Sequence, residues 1–345
     1  MLEKKEYDRL SERILKWVPD KIIDAHVHTG SRAGNVPPEK SKPHPISYRL
    51  FRNKTLTVFP DIFDPVFPDS KIKMIGFPLP LPFKEINPLI WNKRLMIKEM
   101  KKGIYGVMYG LNNITELNKT IKVAKKNGLK FYGIKFHPRM VSEKIRSEVL
   151  LKEVVQEKTL EFIENNDLTM ILELSHGYNE EDIKFVNMIG ENYNIRTVIP
   201  HLGFNYRGFV MRSDDYKKSL EGSPEWFDKE LKKIKECKNV YFDASMVIDK
   251  RAVEAAMDLF GETKIMYGTD YPFGFSSKII ENRPDDDALA KDLRALMNKR
   301  LKNPWRYYYN VYLQVLAFIN AEKSLNLDLK EKVMWKNSKR IYKLS

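Results

Sequence analysis

A chain of 345 residues, 43% of them hydrophobic, is long enough to bury a sizeable core, and its single cysteine, Cys237, excludes a disulfide framework and any all-cysteine metal site. Lysine and arginine number 60 against 46 acidic residues, a formal charge of +14. The lysines are spread through stretches such as IKEMKKG, IKVAKKNG and KELKKIKECKN, which fits solvated helix faces and argues against a nucleic-acid stripe. No run approaches the roughly 18 apolar residues of a membrane span. The charged opening MLEKKEYDRLSERILKWVPD lacks the apolar core of a signal peptide. A soluble, cytoplasmic protein with no membrane attachment is expected.

In chain order, short β-branched apolar runs alternate with amphipathic stretches. The runs predict strands at 21–27, 71–79, 103–110, 130–136, 168–174, 196–201, 239–245 and 263–269. The stretches between them predict helices near 87–102, 113–127, 147–166, 180–192, 223–236 and 250–260. Eight strands with helices between them predict an α/β chain folded as a (β/α)8 TIM barrel. The doubly wound alternative needs a G-x-G-x-x-G turn, and none follows any of these strands.

The whole chain, 1–345, reads as one domain with two additions. Residues 30–70, after the first strand, are rich in proline and aromatics with little periodicity, which suggests a packed, lid-like cover over the barrel mouth. Residues 284–345 are strongly helical. Their aromatic segment PWRYYYNVYLQVLAFINAEKSL is expected to pack on the barrel or against a second copy in a homo-oligomer.

Five of the six histidines fall at or just past the C-terminal end of a predicted strand, the rim where barrel enzymes assemble their sites. His26 and His28, in IIDAHVHTG, are two residues apart, so on a strand both imidazoles project to the same side. By the same parity Asp24 is expected on their face, as a supporting group or a buried acid. His176 follows the strand at 168–174, and His201 ends the strand at 196–201. Asp270 follows the last strand, which closure of the barrel brings beside the first. Two or three histidines with one carboxylate and an open position form a catalytic zinc pattern.

The motifs D-A-H-V-H (24–28), G-I-K-F-H-P (133–138), S-H-G (175–177), P-H-L-G (200–203), Y-G-T-D-Y-P (267–272) and N-S-K-R-I-Y (337–342) resemble the amidohydrolase superfamily. The branch they are most similar to is amidohydrolase family 2, which contains the aminocarboxymuconate-semialdehyde decarboxylase relatives. The resemblance spans all eight strands in order. It implies that His26, His28, His176 and Asp270 hold one Zn²⁺, with Mn²⁺ or Fe²⁺ fitting the same ligands. It also implies that His201 polarises or protonates the substrate. The chain departs from binuclear members at the fourth strand, where those place a carboxylated lysine or a glutamate. Here Lys135 and His137 share a face and are expected to touch substrate or support the ligands rather than bind metal. Glu173, of opposite parity to His176, is expected to face the helices. Arg32, Arg139 and Arg207 lie in rim loops, where a guanidinium fork could hold a substrate carboxylate.

The expected activity is hydrolysis of an ester, lactone or amide in a small, carboxylate-bearing substrate. Asp270 would take the proton of the attacking water and pass it to the leaving group. His201 would donate to the oxygen where charge develops. Three alternatives carry different tests: a decarboxylase of an unsaturated or aromatic acid, a TatD-like metal-dependent nuclease, and a non-catalytic binding protein on a barrel scaffold. The nuclease lacks its expected glutamate after the fourth strand and has no use for the 30–70 segment.

Overall fold

The apolar and β-branched residues of KIIDAHVHTGS form the first strand, β1 (Lys21–Ser31), in a sheet built almost wholly from parallel neighbours. The computed structural model describes residues 4–31, 55–56, 63–78, 88–138, 149–174, 179–203, 225–271, 273–275 and 304–345. Beyond β1 the strands are β2 (Thr55–Leu56), β3 (Lys71–Pro78), β4 (Tyr105–Tyr109), β5 (Gly133–Phe136), β6 (Thr169–Leu172), β7 (Thr197–Ile199), β8 (Val240–Asp243) and β9 (Ile265–Met266). Their order is β2-β1-β3-β4-β5-β6-β7-β8-β9, parallel throughout except for β2, which pairs antiparallel with the end of β1.

Three backbone hydrogen bonds join the sheet's two edges: Ala25 N–H to Tyr267 O at 3.0 Å, and Asp270 N–H to His26 O and His28 N–H to Tyr271 O at 2.8 Å each. Eight parallel strands with helices between them thus form the predicted barrel. The unanticipated strand is β2, which arises inside the 30–70 segment. Residues 32–54 and 57–62 of that segment lie outside the described residues.

The barrel interior is a compact apolar cluster containing Ile23, Ala25, Ile75, Phe77, Val107, Ile171, Val198 and Met266. Its N-terminal floor is closed by the end of the chain: Ile341, Tyr342 and Leu344 join the same cluster. Thr169 Oγ1 donates to Ile341 O at 3.1 Å, and Lys343 pairs with Asp167 at 2.7 Å. The outward faces of the strands, with residues such as Met74, Met108, Ile134, Leu172 and Phe242, pack under the helices.

Five of the predicted helical stretches appear close to where periodicity put them, among them Ile114–Lys126, Glu180–Asn192 and Lys250–Phe260. Asn113, Asn179 and Asp249 cap these three by accepting from the backbone N–H of Glu116, Asp182 and Arg251, the role short polar side chains play at helix starts. The stretch at 147–166 forms two helices, Leu151–Val154 and Glu157–Asn165. The chain is extended at Val155 and Gln156, and the side chain of Asn112 takes the Gln156 N–H at 3.2 Å.

Helix Pro304–Leu325 packs against helix Lys250–Phe260. Helix Lys4–Trp17, from the segment read only as charged, rests against it through Trp17–Glu322 (2.8 Å) and Arg13–Asn320 (2.7 Å). Phe63 and Phe67, at the end of the 30–70 segment, meet Phe275 edge to face and Tyr312 of that helix at a tilt. Among the described residues no helix is long and apolar enough to cross a membrane.

Candidate metal centre

The site begins with an irregularity in β1. Asp24 pairs with Met74 but Val27 pairs with Gly76, so β1 carries one more residue than β3 between those points. Such a bulge reverses the alternation of side chains beyond it. Before it, Ile23 and Ala25 face the barrel interior; beyond it, His26 lies 4.7 Å from the inward ring of Phe77, while Val27 packs outside. His26 and His28 therefore share the inner face as predicted. Asp24 does not, because the bulge falls between them. Its carboxylate accepts instead from His26 N–H (3.1 Å), Thr269 N–H (2.9 Å) and Thr269 Oγ1 (2.5 Å), stitching β1 to the segment after β9. Burial pushes the Asp24 carboxyl up to about 7 against the pull of these hydrogen bonds.

Three imidazoles meet in the mouth with their Nδ1 atoms anchored in the scaffold. His26 Nδ1 lies 2.9 Å from Asp243 Oδ2, His28 Nδ1 3.3 Å from Pro78 O and His201 Nδ1 3.1 Å from Ser245 O. Carbonyl and carboxylate oxygens only accept, so Nδ1 carries the proton and Nε2 keeps its lone pair. At the centre, His28 Nε2 stands 2.9 Å and His26 Nε2 3.4 Å from Asp270 Oδ1. Lone pairs thus face a buried carboxylate oxygen that has no hydrogen-bond donor among the described residues. Such a set of acceptors suits a divalent cation, and the Nδ1 contacts orient the rings as metal-binding histidines require. Burial holds the His26 ring down to about 4 despite the neighbouring Asp243, and burial with the Lys135 ammonium holds His28 well below its ordinary range. Both rings are neutral, as ligation demands. Burial raises the Asp270 carboxyl, opposed by the neighbouring histidines.

The loops that present these groups are strained. Asp270, His201, Leu202 and Met246 all have positive φ (58°, 57°, 52° and 66°), conformations that cost non-glycine residues about 1–3 kcal/mol each and cluster at functional sites. Gly268 permits the close seam: a Cβ there would stand 2.9 Å from His26 Cβ and 3.1 Å from its backbone nitrogen.

Lys135 is fully buried, its Nζ 3.4 Å from His26 Nε2, 3.5 Å from Glu173 Oε2 and 4.9 Å from the centre of the Phe77 ring. Glu173 Oε1 lies 3.1 Å from His137 Nε2. Glu173 therefore faces the site and not the helices. Its parity follows Ile171, which points into the barrel, whereas β6 ends at Leu172 and His176 was no guide to it. Lys135 thus lies beside His26, and His137 beside Glu173.

Two groups escaped the sequence reading. Asp243 and Ser245 end the strand at 239–245, the same rim position as the histidines, and a buried acid within VYFDAS was the available signal. Asp243 also lies with His26 and His201 as a second cluster of potential ligands. Its oxygens are occupied by hydrogen bonds from both residues and from Ser245, and it is an anchor for the rings. Burial works to raise the Asp243 carboxyl, but the interactions with His26 and the Ser245 hydroxyl outweigh it and hold the group low. His176, Arg32, Arg139 and Arg207 lie outside the described residues.

A family model described as amidohydrolase, Amidohydro_2, matches residues 121–344. Among solved structures, an amidohydrolase 2 from Bifidobacterium longum subsp. infantis is similar at TM-score 0.52 and 13% identity, over 95% of this chain and 100% of its own. The 5-carboxyvanillate decarboxylase from Sphingomonas paucimobilis gives 0.51 and 11%, over 95% and 100%. A probable 2-pyrone-4,6-dicarboxylic acid hydrolase from Acinetobacter baumannii gives 0.50 and 12%, over 93% and 99%. At these identities the likeness speaks to the fold. No curated protein matches the chain.

Proposed function

We propose that this chain, a member of the amidohydrolase family, is a metal-dependent hydrolase of a small carboxylate-bearing ester, lactone or amide. The observation that carries the reading is the meeting of His26 Nε2, His28 Nε2 and the buried Asp270 Oδ1 at one point of the barrel mouth. His26, His28 and Asp270 would hold one zinc ion, with His176 as the further ligand; Mn²⁺ or Fe²⁺ suits the same donors. A divalent cation there supplies Lewis acidity and a water that ionises near neutral pH.

The chain's own residues supply the rest. Asp270 takes the proton of the attacking water and returns it to the leaving group, a role helped by the burial that raises its proton affinity. His201, its ring centroid 4.9 Å from that of His26, would polarise the substrate oxygen in its imidazolium form, which carries a proton on Nε2. The Lys135 ammonium, tied to Glu173, holds positive charge at the floor of the mouth. Arg32, Arg139 and Arg207 are proposed to grip the substrate carboxylate. The substrate class is supported by the similar structures, whose names include a hydrolase of a pyrone dicarboxylic acid and a decarboxylase of a carboxylated vanillate.

Decarboxylation is the second reading, favoured by the Lys135 side chain buried in the barrel mouth beside His26, where it could attract a substrate carboxylate. A panel of lactones and esters assayed for acid release, beside aromatic acids assayed for CO₂ release, separates the two. The proposal expects metal-dependent turnover in the first panel; turnover confined to the second would transfer the assignment to a decarboxylase.

A further inference from the structure

The Nδ1 atoms of His26 and His201 converge on one pair of side chains. Asp243 Oδ2 lies 2.9 Å from His26 Nδ1. Ser245 Oγ lies 3.2 Å from His26 Nδ1 and 2.9 Å from His201 Nδ1, and it donates its hydrogen to Asp243 Oδ1. The same Oδ1 accepts the backbone N–H of Ser245 and of His201, at 3.1 Å each. One carboxylate therefore holds the left-handed turn that carries His201 as well as the ring of His26. Both Asp243 and Ser245 are wholly buried, where a lost hydrogen-bond partner is costly.

Counting hydrogens leaves one arrangement. Four donors converge on Asp243, so His26 must donate to it from Nδ1. The only hydroxyl hydrogen of Ser245 goes to Asp243, so Ser245 Oγ can only accept, and the carbonyl of Ser245 is likewise an acceptor for His201 Nδ1. We propose that Asp243 and Ser245 form a single positioning hub that locks both His26 and His201 in the Nδ1–H tautomer, turning both Nε2 lone pairs to the barrel mouth.

For His26 this prepares a metal ligand. For His201 it sets a condition on the role proposed above: the neutral ring has no proton to give from Nε2, so it donates to a substrate oxygen only as the imidazolium formed when solvent protonates that atom. The catalytic meaning rests on the metal-dependent reading above, whereas the tautomers do not.

The test is the imidazole ¹⁵N spectrum of metal-free protein labelled at histidine, which has only six such residues to resolve. Wild type is expected to show the Nδ1–H form at both His26 and His201. In Asp243→Asn the amide can donate to His26, and that ring is expected to change to the Nε2–H form, with zinc affinity in a chelator competition falling at least about tenfold. In Ser245→Ala, His26 is expected to stay as it is, while His201, held then by the residue-245 carbonyl alone, gains a measurable Nε2–H population. Thermal melts check each fold, and if Asp243→Asn does not fold, Ser245→Ala decides. An Nε2–H form at either ring in wild type, or unchanged spectra in every folded variant, would overturn the hub. Absence of zinc binding by wild type with the predicted tautomers present would remove the functional reading and leave the hub standing.

Discussion

At the scale of single residues, the demands on Asp270 can be separated. One carboxylate oxygen faces His26 and His28, and burial makes the group a better proton acceptor than an exposed aspartate. Asp270→Asn keeps an oxygen for the metal and removes the base. Zinc should remain measurably bound by equilibrium dialysis while kcat falls by about 10²–10⁴; near-normal turnover would remove the proton-transfer role. The histidines and Asp270 were legible because two-residue spacing and strand ends are properties of the sequence itself. Asp243, Ser245 and the inward turn of Glu173 were not, because they depend on where a strand stops and which neighbour it meets.

At the scale of elements, the seam between β1 and the segment after β9 controls the centre, since it carries both His26 and Asp270. Asp24 stitches that seam, and burial raises its carboxyl from 3.8 to about 7. A raised carboxyl favours the fold fully below its unfolded value, and that contribution is lost as pH climbs to about 7. Relative to wild type, metal-free Asp24→Asn should therefore gain stability between pH 4 and 7, at no more than about 1.4 kcal/mol per pH unit, and level off above. Urea denaturation of both proteins at several pH values checks this; a difference that shrinks with rising pH would contradict it. Parity alone set Asp24 beside the histidines. One inserted residue, invisible in hydrophobic periodicity, moved it to the other face.

At the scale of the molecule, periodicity found the strand count and order, and all eight predicted strands begin within three residues of the observed ones when β2 is set aside. The closing of the floor by the chain's own end was not readable, since IYKLS has no period of its own and acquires meaning only against the barrel interior. Deleting residues 341–345 removes the buried side chains of Ile341, Tyr342 and Leu344. At about 1.5–3 kcal/mol for each large apolar side chain, the loss should be on the order of 5 kcal/mol, seen as a markedly lower melting temperature. An unchanged melt would mean that the floor is closed without them.

The central claim is that the barrel mouth binds one divalent cation through His26, His28 and Asp270. Elemental analysis after loading with zinc and removing unbound metal tests it most directly. About one zinc per chain is predicted for wild type, with little retained by a His26→Ala, His28→Ala double variant that still folds. A wild-type protein that retains no metal, or a double variant that retains as much, would contradict the account.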